Sequence, residues 1–218
     1  MEFLLFVIFS SMEYLAVFAI MFVLFRFEYK FYHNSVIFIC AILSFVSYSI
    51  RYGFHQDFLA PIAQVLLIFA FLYYIFEIQI FYSGIMTVTG SLFFGIIQTV
   101  LYILLDRFGI ITEDGLVEHS VQGYTLQFIS SLIVFILAIL IKKRNYGFAY
   151  VPHGQRAFVR YQGLNRMFLY LMILGIIFIL ALFYFNIEEP YVILITIILT
   201  VIFIALMYLS VRKEYQND

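Results

Sequence analysis

Residues 142–166 read KKRNYGFAYVPHGQRAFVRYQGLNR and separate two long apolar stretches of the chain. Six of these residues are Lys or Arg, and none is Asp or Glu. In membrane proteins, short connections rich in Lys and Arg remain on the cytoplasmic side. If the flanking stretches cross a membrane, this connection therefore predicts the orientation of every other segment.

The composition indicates that the flanking stretches do cross a membrane. Hydrophobic residues make up 65% of the 218 residues and charged residues 11%, whereas soluble domains have roughly 45–50% and 25%. A helix needs about 20 apolar residues to cross a hydrocarbon core. The chain has seven candidate runs: Phe3–Phe25, Val36–Ile50, Phe58–Phe76, Ile80–Leu105, Tyr124–Ile141, Met167–Phe185 and Tyr191–Leu209.

These runs predict an all-α fold, a polytopic transmembrane helix bundle of about seven spans that forms a single domain over residues 1–218. Backbone amides in hydrocarbon must be hydrogen-bonded within their own segment, which favours helices. Alternating the spans across the membrane places ten of the 12 Lys and Arg residues on the inner side. The N-terminus is then outside and the C-terminus inside, with a cytoplasmic loop at 142–166 and an extracellular loop at 106–123. No basic segment precedes the first run, so we expect it to be a retained helix.

Polar residues within the spans are the candidates for a ligand site. Glu13 lies midway along the first run, where a carboxylate costs roughly 2.5–3.5 kcal/mol on insertion scales, and no Lys or Arg is predicted at its depth. Tyr48, Gln64, Gln98 and Gln127 lie within roughly two helical turns of the outer surface. These five residues are predicted to line an outward-open polar cavity. The alternative for Glu13 is a neutral carboxyl group that is hydrogen-bonded to a neighbouring helix.

Charged residues outside the spans extend this prediction to the rim of the cavity. Arg51 and Asp57 are expected at the outer rim and complete the candidate ligand-binding set. Glu113, Asp114 and Glu118 of the extracellular loop would favour a cationic ligand electrostatically. Because loops of this kind are also ordinary solvated connectors, the composition alone does not separate the two interpretations.

On the inner side, Arg156, Arg160 and Arg166 are predicted to dock a cytoplasmic partner. Tyr146, Phe148, Tyr150, Val151 and Pro152 place aromatic and apolar groups between the basic residues, more than orientation requires. The alternative is that the basic residues only orient the chain and contact anionic lipid of the bilayer. No nucleic-acid-binding module accompanies these charges, so nucleic acid is not an expected partner.

Enzymatic function has weak support in the sequence. His33 and Cys40 are two helical turns apart, about 10 Å along the axis, and this spacing resembles that of accessory gene regulator membrane peptidases, which mature peptide pheromones. The Gly-Gly-x-His context of those enzymes is absent, and no zinc-protease helix, nucleophile elbow or Walker loop occurs. The neighbouring pair Glu118 and His119 supplies too few ligands for a metal. We therefore predict no catalytic residue, no metal and no cofactor.

Two short segments suggest a family. The predicted inner hairpin FEIQIFYS (residues 76–83) and the charged exit SVRKEY (residues 210–215) combine with closely spaced helices and small external loops. This layout resembles the membrane sensor region of peptide-pheromone receptor histidine kinases of the accessory gene regulator type. The resemblance implies a quorum-sensing receptor in a bacterial cell membrane that binds a small extracellular peptide or amphiphile and signals to a cytoplasmic kinase. A homodimer would be compatible with it.

The phosphoacceptor His box and the ATP-binding domain of that family do not occur in residues 1–218. The chain is then either the sensor part alone or a freestanding relative that signals through another polypeptide. A different class has a similar length, namely the substrate-binding membrane subunits of energy-coupling-factor vitamin transporters. A noncatalytic assembly subunit of a membrane complex is a third hypothesis.

Overall fold

The computed structural model describes residues 2–27, 32–111, 120–152, 154, 158–184 and 189–217. Within these ranges the chain is helical and contains no strand, which confirms the predicted all-α class. A π-helical turn, Ser49–Gly53, continues the second helix. The helices are α1 (Glu2–Leu24), α2 (His33–Tyr48), α3 (Leu59–Tyr74), α4 (Ile80–Arg107), α5 (Val121–Lys143), α6 (Leu164–Tyr184) and α7 (Glu189–Asn217).

Six helices in the described ranges are long and apolar enough to cross a membrane. These spans are Phe3–Leu24, His33–Gly53, Ile80–Arg107, Val121–Lys143, Leu164–Ala181 and Tyr191–Gln216. The remaining helix, α3, has 16 residues, a length of about 24 Å at 1.5 Å per residue. The architecture is therefore that of a multi-pass membrane protein, with α3 shorter than the predicted run Phe58–Phe76.

Helix α1 packs against α2, α4 and α5. Ala16, Phe18, Ile20 and Met21 are all fully buried along it. The outer helices instead leave many large apolar side chains exposed, among them Phe38 and Ile204, as expected for surfaces that face lipid.

The bundle has two ends with different contents. At one end, which we call the basic end, the backbone N–H of Phe148 donates to the carbonyl of Leu24 at 2.8 Å. The end of α1 therefore meets the connection between α5 and α6 there. At the other end, the cavity end, the rings of Phe3 and Tyr48 pack edge to face with centroids 4.8 Å apart.

The turn between α3 and α4 lies at the basic end. Glu77 adopts a left-handed conformation with φ of 52°. The side chain of Gln79 caps α4 by accepting from the backbone N–H of Phe81 at 2.9 Å. This capping satisfies an N–H group that the first turn of a helix leaves without a partner. The predicted tight hairpin between these helices is confirmed.

Part of the connection 142–166, which we call the basic loop, folds back against the bundle. Phe148, Tyr150 and Val151 are buried, and the guanidinium of Arg26 donates to the carbonyl of Asn145 at 2.6 Å. A Cβ on Gly147 would lie 2.7 Å from the carbonyl oxygen of Val23. Phe148, Tyr150 and Val151 therefore pack into the core and are not exposed beside the basic residues.

Candidate functional site

A cavity of about 480 Å³ lies between the helices at the cavity end. Small-molecule sites typically have volumes of roughly 300–1,000 Å³. All seven helices contribute to the lining, which includes Leu92, Ile179 and Leu199 on its apolar side. The polar and charged lining residues are Ser10, Glu13, Tyr14, Ser47, Arg51, Gln64, Ser91, Gln98, Thr99 and Gln127.

The structure brings together five of the seven residues that we predicted as ligand contacts. Glu13, Arg51, Gln64, Gln98 and Gln127 all line this cavity. They come from α1, the π-helical turn, α3, α4 and α5. The site therefore forms only when all five elements pack together. That they bind a ligand stays a prediction.

Tyr48 and Asp57 are placed differently. The Tyr48 ring packs against the rings of Phe3, Phe6 and Tyr52, which gives it a packing role at the bundle surface. Asp57 is exposed in the turn before α3, where its carbonyl accepts from the backbone N–H of Ala60. Neither residue is among those that line the cavity.

Two side-chain hydrogen bonds connect helices across the cavity. The amide of Gln98 donates to a carboxylate oxygen of Glu13 at 2.6 Å, which links α4 to α1. The amide of Gln64 donates to the Ser47 hydroxyl at 3.0 Å, which links α3 to α2. Interhelical hydrogen bonds of this kind stabilise membrane bundles by roughly 1 kcal/mol each. One oxygen of Glu13 therefore accepts a hydrogen bond from a neighbouring helix, as in the alternative to a ligand contact given above.

Arg51 lies in the cavity and acts electrostatically on Glu13. A cation that we expected at the outer rim therefore lines the same cavity as Glu13. The π-helical turn Ser49–Gly53 lengthens α2 at this point and carries Arg51. Hydropathy could not predict this π-helical turn, because residues in α-helices and residues in π-helices do not differ in hydropathy.

The cavity also contains polar atoms without partners. Nε of Arg51 and Oε1 of Gln127 are buried and have no hydrogen-bond partner within the described part of the chain. Leaving such a group unpaired costs roughly 1–3 kcal/mol. The cavity lining thus combines the guanidinium group of Arg51, the side-chain amide of Gln127 and the carboxyl group of Glu13. These groups are suited to binding and orienting a polar molecule.

The two residues of the peptidase hypothesis lie in different environments. Cys40 is 1% exposed within the core, and its carbonyl accepts from the Ser44 hydroxyl. His33 is exposed at the start of α2. A thiol as buried as this has no access for a peptide substrate, so the geometry does not favour the peptidase reading.

Several predicted residues fall outside the described ranges, and no metal-binding group is found inside them. The described residues contain no set of three or more His, Cys, Asp or Glu that could hold a metal ion. Residues outside these ranges include Glu113, Asp114, Glu118 and His119 of the extracellular loop and Arg156 of the basic loop.

A second charged site, at the basic end, was not predicted. Lys213 is 6% exposed, and its ammonium donates to Oδ1 of Asn165 at 2.7 Å. The same ammonium lies 4.5 Å from the ring centroid of Tyr82. Three further rings surround it at 5.1–5.6 Å, those of Phe81, Tyr150 and Phe168. Cation–π contacts of this kind contribute roughly 0.5–2 kcal/mol.

The neighbouring Glu214 holds the basic loop against α7. Its carboxylate accepts from the backbone N–H groups of Ala149 and Tyr150 at 2.9–3.1 Å. The Ser210 hydroxyl donates to the Leu206 carbonyl, so the Tyr150 hydroxyl donates to Ser210 at 2.9 Å. Burial raises the pKa of the Tyr150 phenol above its ordinary value, because the charged form is poorly solvated there. The sequence signal for this site was the pair Lys213–Glu214 at the end of an apolar run.

Arg160 and Arg166, two of the three predicted docking residues, are exposed around a surface groove of about 660 Å³ at the basic end. Arg212 and Lys213 also line this groove. The structure thus adds Arg212 to the predicted basic cluster.

The long apolar helices and the cavity between them define the class: a multi-pass helical membrane protein with a cavity lined by both apolar and polar side chains. No protein family, curated protein or solved structure matches the chain.

Proposed function

We propose that this protein is a seven-span receptor of a bacterial cell membrane that binds a small peptide or amphiphile from outside and signals to a cytoplasmic partner. The cavity carries the proposal. It combines the carboxyl group of Glu13 and the guanidinium of Arg51 with three side-chain amides. A short peptide has a free amino group and a free carboxylate, and therefore complements both charges.

The observation with the greatest weight is the set of polar groups that the cavity lining brings together. A carboxyl group, a guanidinium group and three side-chain amides meet there from α1, the π-helical turn, α3, α4 and α5. Charged side chains within a membrane bundle are costly and typically mark a substrate or ion site. A ligand that pairs with Glu13 and Arg51 would offset part of this cost, and it would gain more than the same contacts would give at an exposed surface.

The orientation in this proposal follows the distribution of basic residues. Of the Lys and Arg residues in the described part, only Arg51 and Arg107 lie toward the cavity end. The positive-inside rule then directs the basic end to the cytoplasm and the cavity to the outside. Helix α3 would cross as the seventh span. Its length of about 24 Å is shorter than the hydrocarbon core of about 30 Å, and local thinning of the bilayer would accommodate the difference.

Helix α7 provides a route for the signal. Leu199 lines the cavity, and Lys213 and Glu214 on the same helix hold the basic loop. Fourteen residues of helix separate Leu199 from Lys213, about 21 Å. A ligand that repacks the cavity around Leu199 would displace α7, and the loop contacts at its far end would respond. A cytoplasmic partner would detect this change at the exposed surface of that end.

The binding step can be tested on the purified full chain in mild detergent. Di- and tripeptides with free termini would be compared with the same peptides carrying blocked termini, using thermal unfolding as the readout. Occupancy at 100 times Kd stabilises by about 2.7 kcal/mol. We expect free peptides to raise Tm and blocked peptides to do so much less.

Two variants make the test specific. Arg51→Gln should abolish the Tm increase, whereas Arg107→Gln, at an exposed position outside the lining, should retain it. Equal protection of both variants, or protection by no peptide at all, would overturn the proposal.

A second candidate is the substrate-binding membrane subunit of a small-molecule transporter. It is favoured by the cavity volume and by the participation of all seven helices in the lining. Such a subunit would keep its ligand through purification. Mass spectrometry of the protein from native membranes distinguishes the two, because a tightly bound metabolite together with an ATPase supports transport and a co-purified kinase supports the receptor.

A further inference from the structure

The surface groove at the basic end has an unusually uniform charge. Its described lining includes Arg160, Arg166, Arg212 and Lys213, but no Asp or Glu. The nearest acidic residue in sequence, Glu214, directs its carboxylate to the backbone of Ala149 and Tyr150 instead. The positive charge of the groove is therefore not neutralised from within its own walls.

The walls of the groove are held in place by one side chain. Asn165 donates from its amide nitrogen to the carbonyl of Arg160 at 2.7 Å and accepts from Lys213 at 2.7 Å. This arrangement joins the segment before α6, the first turn of α6 and the last turns of α7. A site whose walls are already ordered loses less entropy when it binds a ligand.

The surface below the groove is apolar and faces outward. Tyr170 lies one turn from Arg166 along α6, and Tyr208 lies one turn from Arg212 along α7, so each pair shares a helix face. Tyr170 is 61% exposed and Tyr208 is 64% exposed. Both lie toward the interior of the spans, at the depth where aromatic residues meet lipid head groups and acyl chains.

We infer that this groove binds the phosphate group of an anionic phospholipid, with its acyl chains against the exposed α6–α7 surface. Guanidinium groups match phosphate oxygens in charge and in geometry. Basic pockets between transmembrane helices on the cytoplasmic side are known to hold anionic head groups. A soluble phosphate compound would use the arginines but not the apolar surface. The inference concerns a site separate from the cavity and does not depend on the peptide ligand.

The test uses the full chain in nanodiscs of phosphatidylcholine, with and without phosphatidylglycerol, and counts retained lipids by native mass spectrometry after release. We expect the wild-type chain to retain phosphatidylglycerol selectively. The groove variant carries Arg160→Gln, Arg166→Gln and Arg212→Gln. Each interfacial cation contributes roughly a factor of five to anionic lipid binding, so the groove variant should bind about 100-fold more weakly.

A matched control removes the same charge elsewhere at the same end. Lys142→Gln, Lys143→Gln and Arg144→Gln change exposed residues that do not line the groove, and this variant should retain the lipid within about two-fold because the site itself is unchanged. If the triple groove variant fails to fold, Arg212→Gln alone should weaken binding about five-fold.

Four results would overturn the inference. The first is equal retention of phosphatidylcholine and phosphatidylglycerol by the wild-type chain. The second is equal loss of lipid in the groove and control variants. The third is full displacement of the lipid by glycerol phosphate, which would assign the groove to a soluble phosphate compound. The last is loss of a co-purified protein in the groove variant with lipid binding unchanged, which would assign the groove to a protein partner.

Discussion

The two ends of the bundle each contain an acidic and a basic side chain, but they satisfy them differently. At the basic end, Lys213 is bonded to Asn165 and surrounded by rings, and Glu214 accepts from two backbone N–H groups. At the cavity end, Arg51 keeps a buried nitrogen without a partner within the described residues. Charges with complete sets of partners contribute to the stability of a fold, whereas incompletely satisfied ones are typical of binding sites.

This comparison predicts that stability and ligand binding can be changed separately. Substitutions at the basic end should lower the free energy of unfolding and leave the cavity chemistry unchanged. Substitutions in the cavity should affect binding with little cost in stability, because functional sites are rarely optimised for stability. Four changes test this separation.

The largest expected effect is that of Gly147→Ala. Gly147 has φ of 139°, and a Cβ there would lie 2.7 Å from the backbone oxygen of Val23. The strained backbone and the clash together should lower the free energy of unfolding by about 3 kcal/mol, measured by denaturation in mild detergent. Gly163→Ala is the control, since its φ is 54° and its surroundings are open, with an expected cost of about 1–2 kcal/mol. Equal losses would contradict tight docking of the loop.

Glu214→Ala should have the next largest effect. It removes two charge-assisted hydrogen bonds to the loop, and because Glu214 is only partly buried we expect a loss of about 2 kcal/mol. Limited proteolysis of the basic loop should become faster. Glu214→Gln keeps one acceptor oxygen and should give an intermediate loss. An unchanged proteolysis rate in Glu214→Ala would show that the carboxylate does not hold the loop.

Tyr150→Phe should cost about 1 kcal/mol at neutral pH through loss of the hydrogen bond to Ser210. The raised pKa of the Tyr150 phenol also predicts a pH dependence. Above about pH 10 the unfolded chain releases this proton while the folded chain retains it, so stability falls as pH rises. The difference in stability between the wild-type chain and Tyr150→Phe should therefore shrink above pH 10. A constant difference across this range would contradict burial of the phenol.

The smallest effect on stability is expected for Glu13→Gln. The amide removes a carboxyl group that is costly in the membrane but keeps an acceptor for Gln98, so the free energy of unfolding should rise by no more than about 1 kcal/mol. Peptide protection in the thermal unfolding assay should nevertheless be lost. A destabilisation comparable to that of Gly147→Ala would mean that Glu13 is a structural residue like Glu214, and the comparison between the two ends would fail.

Much of the fold could be predicted from hydropathy because the signal is local. The membrane requires about 20 consecutive apolar residues for each span, and helices α1, α4 and α6 lie close to where those runs predicted them. The hairpin between α3 and α4 was also predictable, because only Glu77, Ile78 and Gln79 interrupt the apolar sequence. Depth along each span likewise placed Gln64, Gln98 and Gln127 near one another.

The faces that the helices present to one another were not predictable in the same way. Tyr48 has the same depth as the cavity residues, yet its ring packs against Phe3 and Phe6. Phe148 and Tyr150 lie in a polar, basic connection, yet both are buried. Their environment depends on contacts with residues far along the chain, which hydropathy does not report.

The sequence by itself therefore determined the class of protein, the approximate positions of the long apolar helices and the grouping of basic residues, since these follow from the length and charge of consecutive segments. The tertiary structure alone decided that Arg51 enters the cavity, that Lys213 lies among four rings and that Glu214 holds the basic loop. The physical reason is that the hydrophobic effect depends on the amount of apolar surface in a segment and not on the direction in which each side chain points. Hydrogen bonds and ring contacts act only at short range and defined angles, and therefore require the packed helices to bring their partners together.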